Sequence, residues 1–168
     1  MPVTSASELS LASERSGFEC RRCGRCCQYE VLFTHDDIKR MESHTSGAHP
    51  TGFLMTKSMT LEGSRSSLIT KENGKSECLF LEGRSCSIHD SKPLLCKMYP
   101  FFPVPSGVIE RAVGPIPDAV KVRSERNGAG YYMSYHGNCP GVGNAPRVDW
   151  QLILRMWEQY EQEMVAKG

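Results

Sequence analysis

The run Cys20-Arg21-Arg22-Cys23-Gly24-Arg25-Cys26-Cys27 decides how this chain is read. Four thiols fall within eight residues, spaced Cys-x2-Cys-x2-Cys-Cys. Two-residue spacings let a tight turn aim successive sulfurs at one centre. Gly24 supplies freedom in φ where a backbone must turn around a bound ion. Bacterial-type ferredoxins use the same local spacing for three ligands of a [4Fe–4S] cluster, with a remote Cys-Pro as a further ligand. Cys20, Cys23 and Cys26 have that spacing, and Cys139-Pro140 is a remote Cys-Pro, although the ferredoxin separation is not kept. The adjacent pair Cys26-Cys27 adds a constraint. Consecutive side chains diverge by about 100° on a helix and about 180° on a strand. Such a pair fits poorly into one mononuclear site. A cluster could take both sulfurs through different irons, or two neighbouring centres could take one each.

Cys78, Cys86 and Cys96 form a second group on segments flanked by Gly and Pro. Backbone N–H groups of such loops can donate to cluster sulfurs. Eight thiolates make two sets of four. The expected sites are therefore one or two [4Fe–4S] clusters, or one cluster and one zinc. The expected partition puts Cys20, Cys23, Cys26 and Cys139 in one set and Cys27, Cys78, Cys86 and Cys96 in the other. Zinc is the alternative cofactor, because it also takes four-thiolate sites with Cys-x2-Cys knuckles. A zinc ribbon would need a second Cys-x2-Cys pair, and the later half of the chain has none.

Composition sets the context. Eight Cys in 168 residues is below the roughly 8–10% of secreted disulfide scaffolds. The first residues lack a basic start and an apolar stretch, so no secretory signal is read. No apolar run approaches the roughly 20 residues that span a bilayer. The expectation is a soluble cytoplasmic protein, where clustered cysteines hold metal or do redox chemistry. A net charge of +1 drives the chain toward neither nucleic acid nor membrane. The partner expected is a redox or protein partner that the sequence does not specify.

Working outward, residues 1–16 read as a mobile tail or one frayed helical turn, and residues 17–168 as a single metal-binding domain. Tyr29 to Phe33 reads as a strand. Thr34 reads as the cap of a helix to about His44, with Asp36 and Asp37 in its first turn. Short strands are expected near Leu61 and Leu68 to Thr70, with a turn at Asn73-Gly74 leading to Cys78-Leu79-Phe80-Leu81. Ser91 is expected to cap a helix over Lys92 to Met98. Pro100, Pro103 and Pro105 then force extended chain. Val108 to Val113, Val120 to Arg123 and Tyr131 to Tyr135 read as strands. An amphipathic helix from Val148 to Ala166 carries Trp150, Ile153, Leu154, Trp157 and Tyr160 on one face, with Asn144 as a possible upstream cap. The fold class is α+β: a small irregular Cys-rich domain with loop-borne ligands, short strands and a C-terminal amphipathic helix across a small sheet.

These residues resemble a known family, the CxxCxxCC (YkgJ-type) cysteine-cluster family of zinc- or iron-chelating proteins. The resemblance rests on Cys20-x2-Cys23-Gly24-x-Cys26-Cys27, Cys78-Leu79-Phe80-Leu81, Cys86-Ser87-Ile88-His89, Lys92-Pro93-x2-Cys96-x2-Tyr99-Pro100-Phe101 and Cys139-Pro140-Gly141-x-Gly143. It departs from the family in His89, where Tyr is frequent, and in Lys92, where Arg is frequent. It implies metal binding through the eight cysteines and an iron–sulfur oxidoreductase label. Similarity of the cysteine region to flagellin lysine N-methylases implies a possible link to protein methylation, although a shared region does not fix a shared reaction.

Other features carry blander readings. Asn127-Gly128-Ala129-Gly130 reads as a turn, since no helix follows as a nucleotide site requires. Arg21, Arg22 and Arg25 read as charges offsetting a thiolate cluster. Tyr99, Phe101 and Phe102 read as an apolar shell around the metal. The Trp150 and Trp157 face reads as core. No catalytic residues are assigned.

Overall fold

A computed structural model describes residues 9–29, 31–45, 59–61, 64–69, 78, 80–143 and 145–165 of the chain. In chain order the elements are β1 (Leu9–Leu11), β2 (Gly17–Phe18), β3 (Val31–Phe33), α1 (His35–Thr45), β4 (Met59–Leu61), β5 (Ser64–Ile69), β6 (Leu81–Glu82), β7 (Ser85–Cys86), α2 (Leu94–Met98), β8 (Phe101–Pro105), α3 (Ser106–Val113), β9 (Lys121–Arg123), β10 (Gly130–His136), β11 (Val142–Gly143) and α4 (Trp150–Val165). Among the described residues, four helices with small antiparallel sheets make this an α+β protein. Among the described residues no helix is long and apolar enough to cross a membrane. The described residues fall into two compact units, one from Arg22–Lys97 with the helix end beyond Glu158, the other from residues up to Arg21 with Met98–Trp157.

The second unit is built on β10. Its aromatic-rich sequence is buried almost throughout. β8 pairs along one edge, from Tyr131 with Pro105 to Tyr135 with Phe101. β9 and β1 follow one another along the other edge, opposite residues 130–132 and 134–136. Pro103 and Pro105 are tolerated because, among the described residues, β8 pairs only with β10, and proline, lacking an N–H, belongs on edge strands. Phe101, Val120, Tyr131 and Met133 pack with Ile153 and Leu154 of α4. The first half of α4 thus lies across the sheet, with Trp150 and Trp157 against the same core. The first turn of α4 is capped by Asp149, whose carboxylate accepts the Leu152 N–H at 2.9 Å; the expected cap Asn144 lies outside the described residues.

Two segments of this unit differ from expectation. Leu9–Leu11, read as tail, is a strand, because the open end of β10 needs partners for its backbone groups. Ala12, wholly buried, continues the pairing by donating to the Met133 carbonyl at 2.8 Å. Val108 to Val113, read as a strand, lies in helix α3. β-branched residues favour strands only weakly, and tertiary context overrides the preference. Ser106, Ile109 and Glu110 turn inward at helical spacing, while Val108 and Val113 face solvent. Glu110 anchors the helix: Lys121 Nζ lies 2.6 Å and Tyr132 Oη 2.9 Å from its carboxylate. The Asn127–Gly130 stretch is the turn between β9 and β10, as expected, with Gly128 at φ 75°.

In the first unit β3, β5 and β4 form an antiparallel sheet, with β3 and β4 near the positions expected and β5 starting at Ser64, four residues before the expected Leu68. Thr34 caps α1 as read: its Oγ1 accepts the Asp37 N–H at 2.9 Å, and the Asp37 carboxylate accepts the Thr34 N–H at 3.1 Å. This is the reciprocal capping box, with Asp in place of the usual Glu. Phe33 and Met41 pack with Phe80 and Ile88. The turn read at Asn73-Gly74 lies outside the described residues. A hairpin that the reading lacked joins β6 to β7 through Gly83, at φ 61°. The helix expected from Lys92 begins at Leu94, after a 3₁₀ turn at His89–Ser91. Ser91 does not cap it, and among the described residues its hydroxyl has no hydrogen-bond partner. Wholly buried Asp37 does so from α1, accepting the Leu94 N–H at 2.9 Å.

Candidate metal centre

Gly24, at φ 73°, turns the chain into a single 3₁₀ turn, Arg25–Gln28. A Cβ at Gly24 would sit 3.0 Å from Leu81 Cδ1, so the turn also lies close against β6. Cys27 N–H donates to the Gly24 carbonyl at 3.0 Å, and the Cys27 carbonyl accepts the Cys78 N–H at 2.6 Å. Backbone bonds therefore bring Cys78 to Cys27 across a sequence gap of fifty-one positions. The β6–β7 hairpin delivers Cys86 and α2 delivers Cys96.

These pieces enclose one small cavity. Cys26, Cys27, Cys78, Cys86 and Cys96 all line it. Val31, Phe80, Ile88 and Pro93 supply apolar wall, and Lys92 supplies a cation. Its volume is about 30 Å³, room for about two waters or an ion. The adjacent pair Cys26 and Cys27, expected to diverge, share this cavity. Cys26 thus lines the cavity with the four cysteines assigned to the other set.

The thiols are not alike. Hydrogen bonding to Cys27 lowers Cys86 to about 6, against burial, with help from the Ile88 N–H and the Lys92 charge. The same partner lowers Cys26 to about 7, again against burial and with Lys92 assisting. Hydrogen bonding with Cys26, and then with Cys78 and Cys86, holds the single Cys27 proton and raises its pKa. Burial pushes the Cys96 thiol up, reinforced by the neighbouring sulfurs. Two thiols lowered toward neutral pH beside a third sulfur are a soft, electron-rich donor set. Such sets select zinc, copper(I) and iron–sulfur clusters. Among the described residues no three His, Cys, Asp or Glu side chains stand in the arrangement that would hold a metal ion. The sulfurs hydrogen-bond to one another instead, so binding would exchange those bonds for metal bonds. The donor chemistry fits a thiophilic metal.

The other three cysteines stand elsewhere. Cys23 is half-buried in the first unit and does not line the cavity. Cys20 and Cys139 belong to the second unit, one exposed and one buried. There β2 pairs with β11, and Glu19 N–H donates to the Gly141 carbonyl at 3.0 Å. A Cβ at Gly141 would lie 2.5 Å from the Glu19 carbonyl, so only glycine allows this approach. No disulfide joins any of the eight cysteines.

Residues 19–140 match the family model CxxCxxCC, described as a "Putative zinc- or iron-chelating domain". The chain belongs to the CxxCxxCC family. No curated protein and no solved structure matches it. The CxxCxxCC match begins one residue before Cys20 and ends one after Cys139, so it brackets all eight cysteines. This CxxCxxCC protein differs from the sequence reading in what lines the cysteine cavity. The apolar wall of the cavity is Val31, Phe80 and Ile88, not the expected aromatic shell. Phe101 is a core residue of the second unit, edge-on to Phe18 and Trp150 at 5.4 and 5.0 Å. Tyr99 and Phe102 pack on buried His136. Of the arginines read as charge offsets, Arg21 makes an exposed ion pair with Glu19 at 3.6 Å. The cation on the cavity wall is Lys92, two residues before α2 begins.

Proposed function

We propose that this metal-binding protein is an iron–sulfur protein of the cytoplasm, with an electron-transfer or redox-accessory role. The observation that carries the reading is the gathering of five cysteines, two of them adjacent, on one cavity. A structural zinc ion takes four ligands at one centre. A cluster spreads its ligands over several irons, which suits adjacent sulfurs on a 3₁₀ turn. Cys26, Cys27, Cys78, Cys86 and Cys96 would hold it, and Val31, Phe80 and Ile88 would keep water from it. When bound, such a group supplies one-electron chemistry. Cys20, Cys23 and Cys139 remain in the proposed ligand set.

A structural zinc site is the second reading, favoured by the small volume of about 30 Å³, which suits a single ion. Anaerobic purification followed by iron, zinc and acid-labile sulfide analysis per chain separates the two. Brown protein with iron and sulfide in similar amounts supports the cluster. Colourless protein with stoichiometric zinc and no sulfide overturns it.

A further inference from the structure

Lys92 is only 9% exposed and lies on the wall of the cysteine cavity. Lysine is almost never buried to this extent unless an anion accompanies it. Among the described residues no carboxylate stands within ion-pairing distance of it. The rest of the wall is apolar apart from the tyrosine at Tyr29 and the five sulfurs. Among the described residues of the wall, the sulfurs are the groups that can supply negative charge to match the ammonium.

We propose that Lys92 is the built-in counter-cation of the metal–thiolate assembly in this cavity, and that its charge, not its packing, sets how tightly metal is held. The inference rests on the metal-binding reading but not on which metal is bound. Four thiolates around zinc(II), or around an oxidised [4Fe–4S] core, leave a doubly negative group in either case. Burying that group beside apolar walls is unfavourable unless a cation is buried with it. Lys92 lines the cavity together with Cys26, Cys86 and Cys96. Those residues come from the 3₁₀ turn, the β6–β7 hairpin and α2, so one ammonium acts on three separate walls of the site.

The test uses the full-length, reduced, metal-free protein and its Lys92→Met and Lys92→Arg variants. Met keeps the apolar stem and removes the charge; Arg keeps the charge. Each is titrated anaerobically with Co²⁺, read by thiolate-to-cobalt charge-transfer absorption, and then displaced with Zn²⁺. Lys92→Met is expected to bind Co²⁺ about 10- to 100-fold more weakly, the range seen when partners outside the ligand set are lost. Lys92→Arg is expected to stay within a few-fold of wild type. The thermal midpoint of each metal-free variant is read alongside, so that loss of the fold is told apart from loss of affinity. Equal affinity of Lys92→Met and wild type overturns the inference. So does equal weakening in both variants, which would assign the effect to packing. Wild type that takes up no Co²⁺ would instead sink the metal-binding reading, and the inference with it.

Discussion

At Cys86 several influences meet on one sulfur. The Cys27 thiol donates to it, the Ile88 N–H donates to it, and Lys92 stands nearby, while burial opposes all three. The result is a folded pKa of about 6 against an ordinary value of 9.0. A group depressed in this way stabilises the fold fully above the unfolded value, and that contribution is lost as pH falls through the folded one. Between those limits the metal-free protein carries a thiolate at Cys86 where an unfolded chain carries a thiol. Iodoacetamide labelling followed by mass spectrometry should therefore show Cys86 reacting at a plateau rate at neutral pH and slowing only near pH 6. Cys27, whose proton is held, should stay unreactive until alkaline pH. A Cys86 rate that still rises steeply toward pH 9 would contradict the assignment. Cys27→Ala removes the shared donor as well as a sulfur. It should lower the metal bound per chain and raise the pH at which Cys86 begins to react, read by metal analysis and the same labelling.

At the scale of elements, α1 and α2 are joined by one carboxylate. Asp37 accepts from Thr34 N–H at the start of α1, from Leu94 N–H at the start of α2, and from Arg40 Nη2 at 2.6 Å. Arg40 also reaches Glu163 on α4 at 3.0 Å, within the same unit. Removing the Asp37 side chain leaves two buried N–H groups without an acceptor and takes one partner from a partly buried guanidinium. Asp37→Ala should cost about 3 kcal/mol, near the lower end for breaking a buried ion pair, since Glu163 still serves Arg40. Urea unfolding of the metal-free protein measures it. Because α2 carries Cys96, labelling of Cys96 should also quicken. Unchanged stability with unchanged Cys96 labelling would show that α2 is held by other means. The cap of α1 was legible, because Thr34 and Asp37 lie three residues apart in the sequence. The cap of α2 was not, because its acceptor lies fifty-seven residues upstream.

At the scale of the whole molecule the two units are stabilised differently. The second has a continuous apolar core in which Phe101 is 1% exposed and Leu154 is wholly buried. Phe101→Ala should cost about 3–5 kcal/mol, read by urea unfolding. The first has the smaller apolar cluster of Phe33, Met41, Phe80 and Ile88, adjoining a cavity walled by thiols. Where ligands come from separate elements, metal-binding free energy becomes folding free energy. Removing metal with a chelator should therefore speed amide exchange in Arg22–Cys27, the β6–β7 hairpin and α2, while β8 and β10 stay protected. Uniform deprotection of β10 along with the hairpin would show that the two units do not respond separately.

The sequence alone determined that this chain gathers cysteines for metal, that Gly24 must turn freely, and that one face of α4 is core. Each of these is written in spacings of a few residues, where backbone geometry leaves few alternatives. Only the tertiary structure decided which sulfurs meet. Cys26 and Cys27 share a cavity with Cys78, Cys86 and Cys96 because backbone pairing and a carboxylate cap fold distant segments onto one turn. It also decided that Val108 to Val113 is a helix and Leu9 to Leu11 a strand, since burial and open sheet edges outweigh local propensity. The cysteines that open the sequence thus announce a metal. The cation beside them, Lys92, takes its meaning from burial, which no spacing records.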